Sequence, residues 1–329
     1  MQHATETIRH SLAPATQGYV LGVDIGGTNL RLALASRKGR IVSRLCTTTV
    51  GTRNPEDVLR QIVDGADIML QEQGLGRQHL RCIGAGAPGI TDVDNGVVVA
   101  TSYLFGWKDV PLARLLEEAL HVPAAIDNDV NLATLAEGWA GTAKGETDFV
   151  FLAVGTGIGA GIMLRGALLR GKDWLAGEIG YMVVPGTSEA PDAPGIPGAL
   201  ERVSGGEGIR TVWGEHCSAR GMKQSPEVTT AEIFELARNG DEFSQSIVEQ
   251  CATPLAYAIH NMALVLNVPL VVMGGSVGTN PMYLSAVRAA LQRRSHRSTP
   301  VLGASGLDRD AQLIGAVRLA MSKLADRQR

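Results

Sequence analysis

Tyr19–Ser36 reads YVLGVDIGGTNLRLALAS, and its central glycines decide the fold. Apolar β-formers run up to Asp24 and Ile25. A turn follows at Gly26-Gly27-Thr28-Asn29, and Leu30, Leu32 and Leu34 then alternate, so the stretch is strand, turn, strand. The pattern returns at 148–171, DFVFLAVGTGIGAGIMLRGALLRG, around Gly155-Thr156-Gly157. Two such units predict an internal duplication. A Gly/Thr turn exposes successive backbone N–H groups with no side chain in the way, and such groups bind anionic oxygens. One turn from each half, facing across a cleft, can hold a polyphosphate, with Thr28 and Thr156 adding hydroxyl donors. Asp24 ends its strand just before the first turn, a place from which it can hold a Mg²⁺-bound water.

The rest of the chain alternates in kind. GRIVSRLCTTTV continues as a third strand. NPEDVLRQIVDGADIMLQEQG is an amphipathic helix with Asn54 as N-cap, Pro55 in the first turn and Gly74 at its end. LRCIGAGAPGITD is a short strand entering a glycine loop, LARLLEEAL a short helix, and PAAIDNDVNLATLAEGWAG runs from strand into helix. Beyond residue 201 the chain turns helical. TTAEIFELARNG is capped by Thr229 or Thr230, and Leu255, Ala258, Ile259, Met262 and Leu266 keep helical spacing through one long segment. PLVVMGGSVG is a buried strand ending in glycines, followed by two more helices. Strands and helices in alternation make the class α/β.

Two glycine loops match a dinucleotide fingerprint formally: GAGAPG at 84–89 and GTGIGA at 155–160. That fingerprint must open a helix, whose N-terminus receives the pyrophosphate. Here Pro88-Gly89-Ile90-Thr91-Asp92 reads as an irregular loop, and the residues after Gly159 read as a strand, so a nicotinamide enzyme is disfavoured. No GxxxxGK[ST] phosphate loop occurs. Gly274-Gly275-Ser276 offers a further loop, able to pass beneath a nucleotide base and ribose. For any one of these loops alone, a plain tight turn is the competing reading.

Composition limits the partners. The 329 residues are 45% hydrophobic and 19% charged, with net charge −3, enough for two domains with sizeable cores. No block of like charge runs along the chain, so nucleic acid and membrane surfaces have no electrostatic footprint. No apolar run is long enough to span a bilayer. The first 17 residues are polar, without a signal-peptide core, and are expected to be a disordered tail; the expected location is cytoplasmic. Cys46, Cys82, Cys217 and Cys251 lie far apart, with no CxxC pair, which encodes neither a disulfide framework nor a thiolate metal site.

Taken in order, GVDIGGTNLRLAL, GAGAPG, DNDVNLATLAEGWAG, VGTGIGAGIM, GEIGYM, LERVSGGEGI and VVMGGSV resemble the ROK family of sugar kinases and sugar-responsive repressors, from about Tyr19 to Leu324. The resemblance implies two ribonuclease H-like domains of the actin-like ATPase type, closing on a sugar and ATP in the cleft between them. It implies a smaller domain of 18–124 plus 309–329, a larger one of 125–308, a homodimer, and ATP with Mg²⁺. By the same resemblance Asp129 is the catalytic base, and Gly89, Asn128, Asp129, Glu178, Tyr181 and Glu201 meet the sugar. The phosphates meet Gly26, Gly27 and Thr28 on one side and Gly155, Thr156 and Gly157 on the other; the adenosine meets Gly274, Gly275 and Ser276. Asp24 holds Mg²⁺ through water. Without the resemblance, Asp127 and Asp129 read equally as helix N-caps; with it, Asp127 is structural, and Asn131 and Glu137 serve the helix and its packing. A sugar kinase, most simply a 6-kinase for a hexose or N-acylhexosamine, is the reading, with a non-catalytic sugar sensor as the alternative. The residues before Tyr19 are too few for the helix-turn-helix that repressor members carry.

The chain departs from the family between 177 and 201, GEIGYMVVPGTSEAPDAPGIPGALE. Many members bind a structural zinc there through three cysteines and a histidine. Asp192, Pro194 and Ala199 stand at the cysteine positions and Tyr181 at the histidine. Pro and Ala cannot ligate, and zinc sites use Cys, His, Asp and Glu; no zinc is expected. Pro185, Pro191, Pro194 and Pro197 would stiffen the loop instead. Tyr181 is either a sugar contact or a packed aromatic with its hydroxyl in water.

Overall fold

A computed structural model of the chain describes residues 18–51, 54–101, 104–189, 196–221, 228–294 and 299–326. In the first half, β1 (Tyr19–Ile25), β2 (Asn29–Ser36) and β3 (Ile41–Thr48) lead to α1 (Pro55–Glu72). Then come β4 (Leu80–Ala87), β5 (Ile90–Asp92), β6 (Val97–Ala100), β7 (Lys108–Val110), α2 (Leu112–Leu120), β8 (Ala124–Asn128) and α3 (Asp129–Ala140). The second half holds β9 (Phe149–Val154), β10 (Ile158–Leu164), β11 (Ala167–Leu168), α4 (Glu201–Ser204), α5 (Gly206–Ala219), α6 (Thr230–Arg238) and α7 (Glu242–Leu266). It continues with β12 (Leu270–Gly274), α8 (Gly275–Gly278), α9 (Pro281–Gln292) and β13 (Val301–Ala304), and α10 (Ala311–Asp326) closes the chain.

The duplication seen in sequence is a duplication of sheet topology. One sheet runs β3-β2-β1-β4-β8 and the other β11-β10-β9-β12-β13. In each, three antiparallel strands are followed by two parallel ones. Neither glycine fingerprint opens a helix. The 84–89 loop joins β4 to β5, and the 155–160 stretch turns from β9 into β10.

The chain divides into two compact units: Met1–Trp139 with Gly171–Leu175 and Asp310–Arg329, and Ala140–Arg170 with Ala176–Arg309. The first cut falls after Trp139, not after residue 124. Strand β8 hydrogen-bonds to β4 in the first sheet. Helix α3 follows it directly and is backed by α10, whose Gly315 lies where a Cβ would strike the Leu132 backbone.

The first unit is layered by β-strand alternation. Leu21, Val23 and Ile25 of β1 point into a core with Val58, Ile62 and Met69 of α1 and Leu112 and Leu116 of α2. Val20, on the opposite face, joins Ala33, Ala35 and Cys82 beneath Leu313, Val317 and Ala320 of α10. Gly22 of β1 and Gly84 of β4 are register partners on that face. A Cβ on Gly22 would meet Val317, and one on Gly84 would meet the Ala316 carbonyl and the Ala320 amide. The helix backbone therefore lies flush on the sheet.

The N-cap predictions resolve to Asn54, which accepts from Asp57 N–H at 2.8 Å, and Thr229, which forms a reciprocal capping box with Glu232. Helix α7 runs unbroken through a buried Pro254. The sequence reading missed the small β5-β6-β7 sheet and the edge strand β13. Their strands have three or four residues, too few for a period to register.

Candidate active site

In the first unit the Gly26–Thr28 turn is braced from the end of β3. Thr49, fully buried, gives its hydroxyl to the Gly26 carbonyl at 2.9 Å and its N–H to the Thr28 carbonyl at 2.9 Å. Thr48 Oγ1 reaches the Thr28 carbonyl at 3.1 Å. Gly26 spends its own N–H on the Asn29 carbonyl at 2.8 Å. Among the described residues, the amides left without an acceptor in this turn are those of Gly27 and Thr28.

Asp24 is buried on the α10 face of β1, directly opposite Arg31 on β2. Arg31 Nε donates to Asp24 Oδ2 at 2.7 Å and Nη2 to the same oxygen at 2.6 Å. Burial pushes the Asp24 carboxyl above its ordinary range, and the Arg31 guanidinium works against that push. The bonds from Arg31 leave Oδ1 open. That leaves one carboxylate oxygen able to accept from a metal-bound water. Arg31 stands on the Ala33–Ala35 face of β2, the face that Asp24 shares.

Where β8 passes into α3, three successive side chains take separate tasks. Asp127 is 1% exposed and accepts from Asn128 N–H and Asn131 Nδ2, both at 2.9 Å. Asn128 Oδ1 caps the helix, accepting from Val130 N–H at 2.8 Å and Asn131 N–H at 3.3 Å. Its Nδ2 donates to the Gly89 carbonyl at 2.8 Å, tying the β4–β5 loop to the helix start. Asp129 stands partly exposed in the first turn and accepts from Val130 N–H at 3.0 Å. The cap is therefore Asn128, a residue that the alternative between Asp127 and Asp129 left out. One N–H of its amide remains for a ligand. Gly89 has φ +96°, and a Cβ there would strike the Ala100 carbonyl and Thr101, so only glycine fits.

The second unit repeats the device. Gly155 N–H bonds to the Gly157 carbonyl at 3.0 Å, and Ile158 N–H to Glu201 Oε2 at 2.8 Å. The amides of Thr156 and Gly157 are left without an acceptor among the described residues. Thr28 and Thr156 are both exposed, and no atom stands within 4 Å of where a Gly155 Cβ would be. That open space suits an incoming phosphate.

The ends of the 177–201 stretch are stitched together by backbone. Ala160 N–H bonds to the Gly177 carbonyl at 2.8 Å and Leu200 N–H to the Gly180 carbonyl at 3.0 Å. A Cβ on Gly198 would collide with Gly180 and Tyr181. Glu178 is exposed to solvent, yet enough protein crowds its carboxyl to raise its pKa, and the charge of Glu201 raises it further. Tyr181 is 51% exposed.

The sequence model of the ROK family matches residues 20–323. The chain belongs to the ROK family. It is 33% identical over 266 residues to a glucokinase of Halalkalibacterium halodurans, covering 79% of this chain and 80% of that one. It is 31% identical over 309 residues to an N-acetylmannosamine kinase of Shigella flexneri, covering 92% and 99%. The crystal structure of a ROK family glucokinase from Streptomyces griseus, in complex with glucose and AMPPNP, superimposes with TM-score 0.72 at 25% identity, over 93% of this chain and all of that one. The ROK fold is thus the two-domain actin-like ATPase architecture that the duplicated sheets carry.

Within this ROK chain, Asp192 and Pro194 lie outside the described residues, and Ala199 is buried. Among the described residues no group of three or more His, Cys, Asp or Glu could hold a metal ion, and no helix is long and apolar enough to cross a membrane. The third glycine loop has packing reasons of its own. A Cβ on Gly274 would enter the Phe151 ring, and one on Gly275, at φ +78°, would strike the Val154 backbone. Ser276 is the exposed member of that trio. Sequence reasoning missed the supports, Thr48, Thr49 and Arg31, because nothing in their spacing marks them.

Proposed function

We propose that this ATP-dependent sugar kinase of the ROK family phosphorylates a hexose or N-acylhexosamine at its 6-hydroxyl, with Asp129 as the general base. The observation that carries the reading is the Asp129 carboxylate at the first turn of α3, next to an Asn128 that locks the helix start to Gly89. Asp129 accepts the proton of the attacking hydroxyl and aims its oxygen. The sugar oxygen forms a bond to the γ-phosphorus as the bond to the ADP oxygen breaks. Phosphoryl transfer depends chiefly on such positioning and on charge stabilisation. Gly89, Asn128, Glu178, Tyr181 and Glu201 hold the remaining sugar hydroxyls. The free amides of Gly27, Thr28, Thr156 and Gly157 receive phosphate oxygens, with Gly26 and Gly155 shaping their turns, and Gly274, Gly275 and Ser276 lie along the adenosine. Asp24 Oδ1 fits a water of the Mg²⁺ that, when bound, neutralises phosphate charge. A coupled ADP-release assay across hexoses and N-acylhexosamines tests the reading. Sugar-dependent ADP release is expected, and its absence with every sugar leaves a sugar sensor instead.

Glu178 gives the sugar site a pH signature. Its raised pKa keeps the carboxyl protonated to a higher pH than an ordinary glutamate near 4.3. A charged acceptor for a sugar hydroxyl is therefore lost early on acidification. The sugar KM is expected to rise as pH falls through that raised pKa, and Glu178→Gln to remove the inflection. An unchanged profile in that variant would assign the inflection elsewhere. Zinc has no part in this reading: metal analysis of protein purified without chelator is expected to find none, and one tightly bound zinc per chain would refute it.

A further inference from the structure

The second Gly/Thr turn is held from outside its own hairpin. Glu201 Oε2 accepts the N–H of Ile158, the first residue of β10, at 2.8 Å. Gly157 has no room for a Cβ because the Glu201 carboxyl fills the space. Just past α4, Gly206 donates its N–H to the Gly155 carbonyl at 2.8 Å, and Gly205 lies against the Thr156 carbonyl. The 201–206 segment thus grips residues 155–158 from end to end. It is anchored in turn from below. The Tyr283 hydroxyl on α9, wholly buried, donates to the Ser204 carbonyl at 2.9 Å, and Ser204 Oγ donates to the Cys251 carbonyl of α7 at 2.7 Å. Glu201 Oε1 has no hydrogen bond among the described residues.

We propose that Glu201 is a positioning residue for the nucleotide phosphates. Its Oε2 fixes the Ile158 amide and so aims the Thr156 and Gly157 amides, while Oε1 remains for the sugar. Tyr283 acts one step further back, by fixing α4. The proposal rests on reading 155–157 as a phosphate-binding turn. One carboxylate then serves two ligands, and the nucleotide side of its work needs no sugar to be present.

Titration of AMPPNP by calorimetry, with no sugar in the cell, separates the two duties. Glu201→Ala is expected to bind AMPPNP about tenfold more weakly than the parent, the scale of one lost charge-assisted hydrogen bond. Glu201→Gln keeps an oxygen for Ile158 and is expected to stay within about threefold of the parent in AMPPNP affinity, while its sugar KM rises. A loosened fold alone would not be rescued by glutamine for one ligand and not the other. Parental affinity in Glu201→Ala overturns the proposal. Should that variant not fold, parental affinity in Tyr283→Phe overturns it. A parent chain that binds no AMPPNP at all sinks the kinase reading itself, a result distinct from either variant's.

Discussion

Asp129→Asn is expected to fold as the parent does and to lower kcat by about 10²–10⁴-fold, the range that a positioned general base contributes. Folding should survive because asparagine retains an oxygen for the Val130 N–H, and because the helix cap is Asn128, which the change does not touch. The loss should fall on kcat more than on KM, since the amide can still hydrogen-bond the sugar hydroxyl but cannot take its proton. Steady-state ADP release at saturating sugar and ATP reads the effect, with circular dichroism to check the fold. Turnover near the parental rate would remove Asp129 as the base. Asp127→Asn makes the contrast, because its buried carboxylate braces Asn128 and Asn131. That variant should lose stability first and activity only through it.

The largest expected effect on stability is at Gly84→Ala. The new methyl would be driven against the Ala316 carbonyl and the Ala320 amide of α10, which are backbone atoms with no rotamer to swing away. Alanine would also restrict the unfolded chain, a gain of about 0.4–1 kcal/mol. Overpacking against rigid backbone costs more, about 3 kcal/mol, so the net change is destabilising. Urea unfolding should show a lower midpoint with the slope unchanged. A parental midpoint would mean that α10 stands further from the sheet than its contacts with Gly22 and Gly84 indicate.

Much of this was legible in the sequence, for identifiable reasons. The two Gly/Thr turns announced a duplication because glycine between alternating apolar strands has few other uses, and both sheets carry the same strand order. The α3 junction was legible as a place but not in detail. Three polar residues in a row can each cap a helix, and the bonds that Asn128 Oδ1 accepts from the N–H groups of Val130 and Asn131 single out the cap. The supports of the turns were illegible for a similar reason. Thr49 and Glu201 reach their turns across 23 and 43 positions, and no local period encodes a contact of that range. Gly22 and Gly84 looked like ordinary strand glycines until α10 showed what they make room for.

The flush seat of α10 also sets an order of events during synthesis. Domains fold as units, with N-terminal ones first as the chain emerges. Here the sheet that begins at Tyr19 keeps one face, with Val20, Ala33, Ala35 and Cys82, uncovered until Leu313, Val317 and Ala320 arrive. The second unit's sheet and helices are all made before then. The half of the chain that starts first is thus finished last, and until α10 docks, that apolar face lacks the helix that covers it.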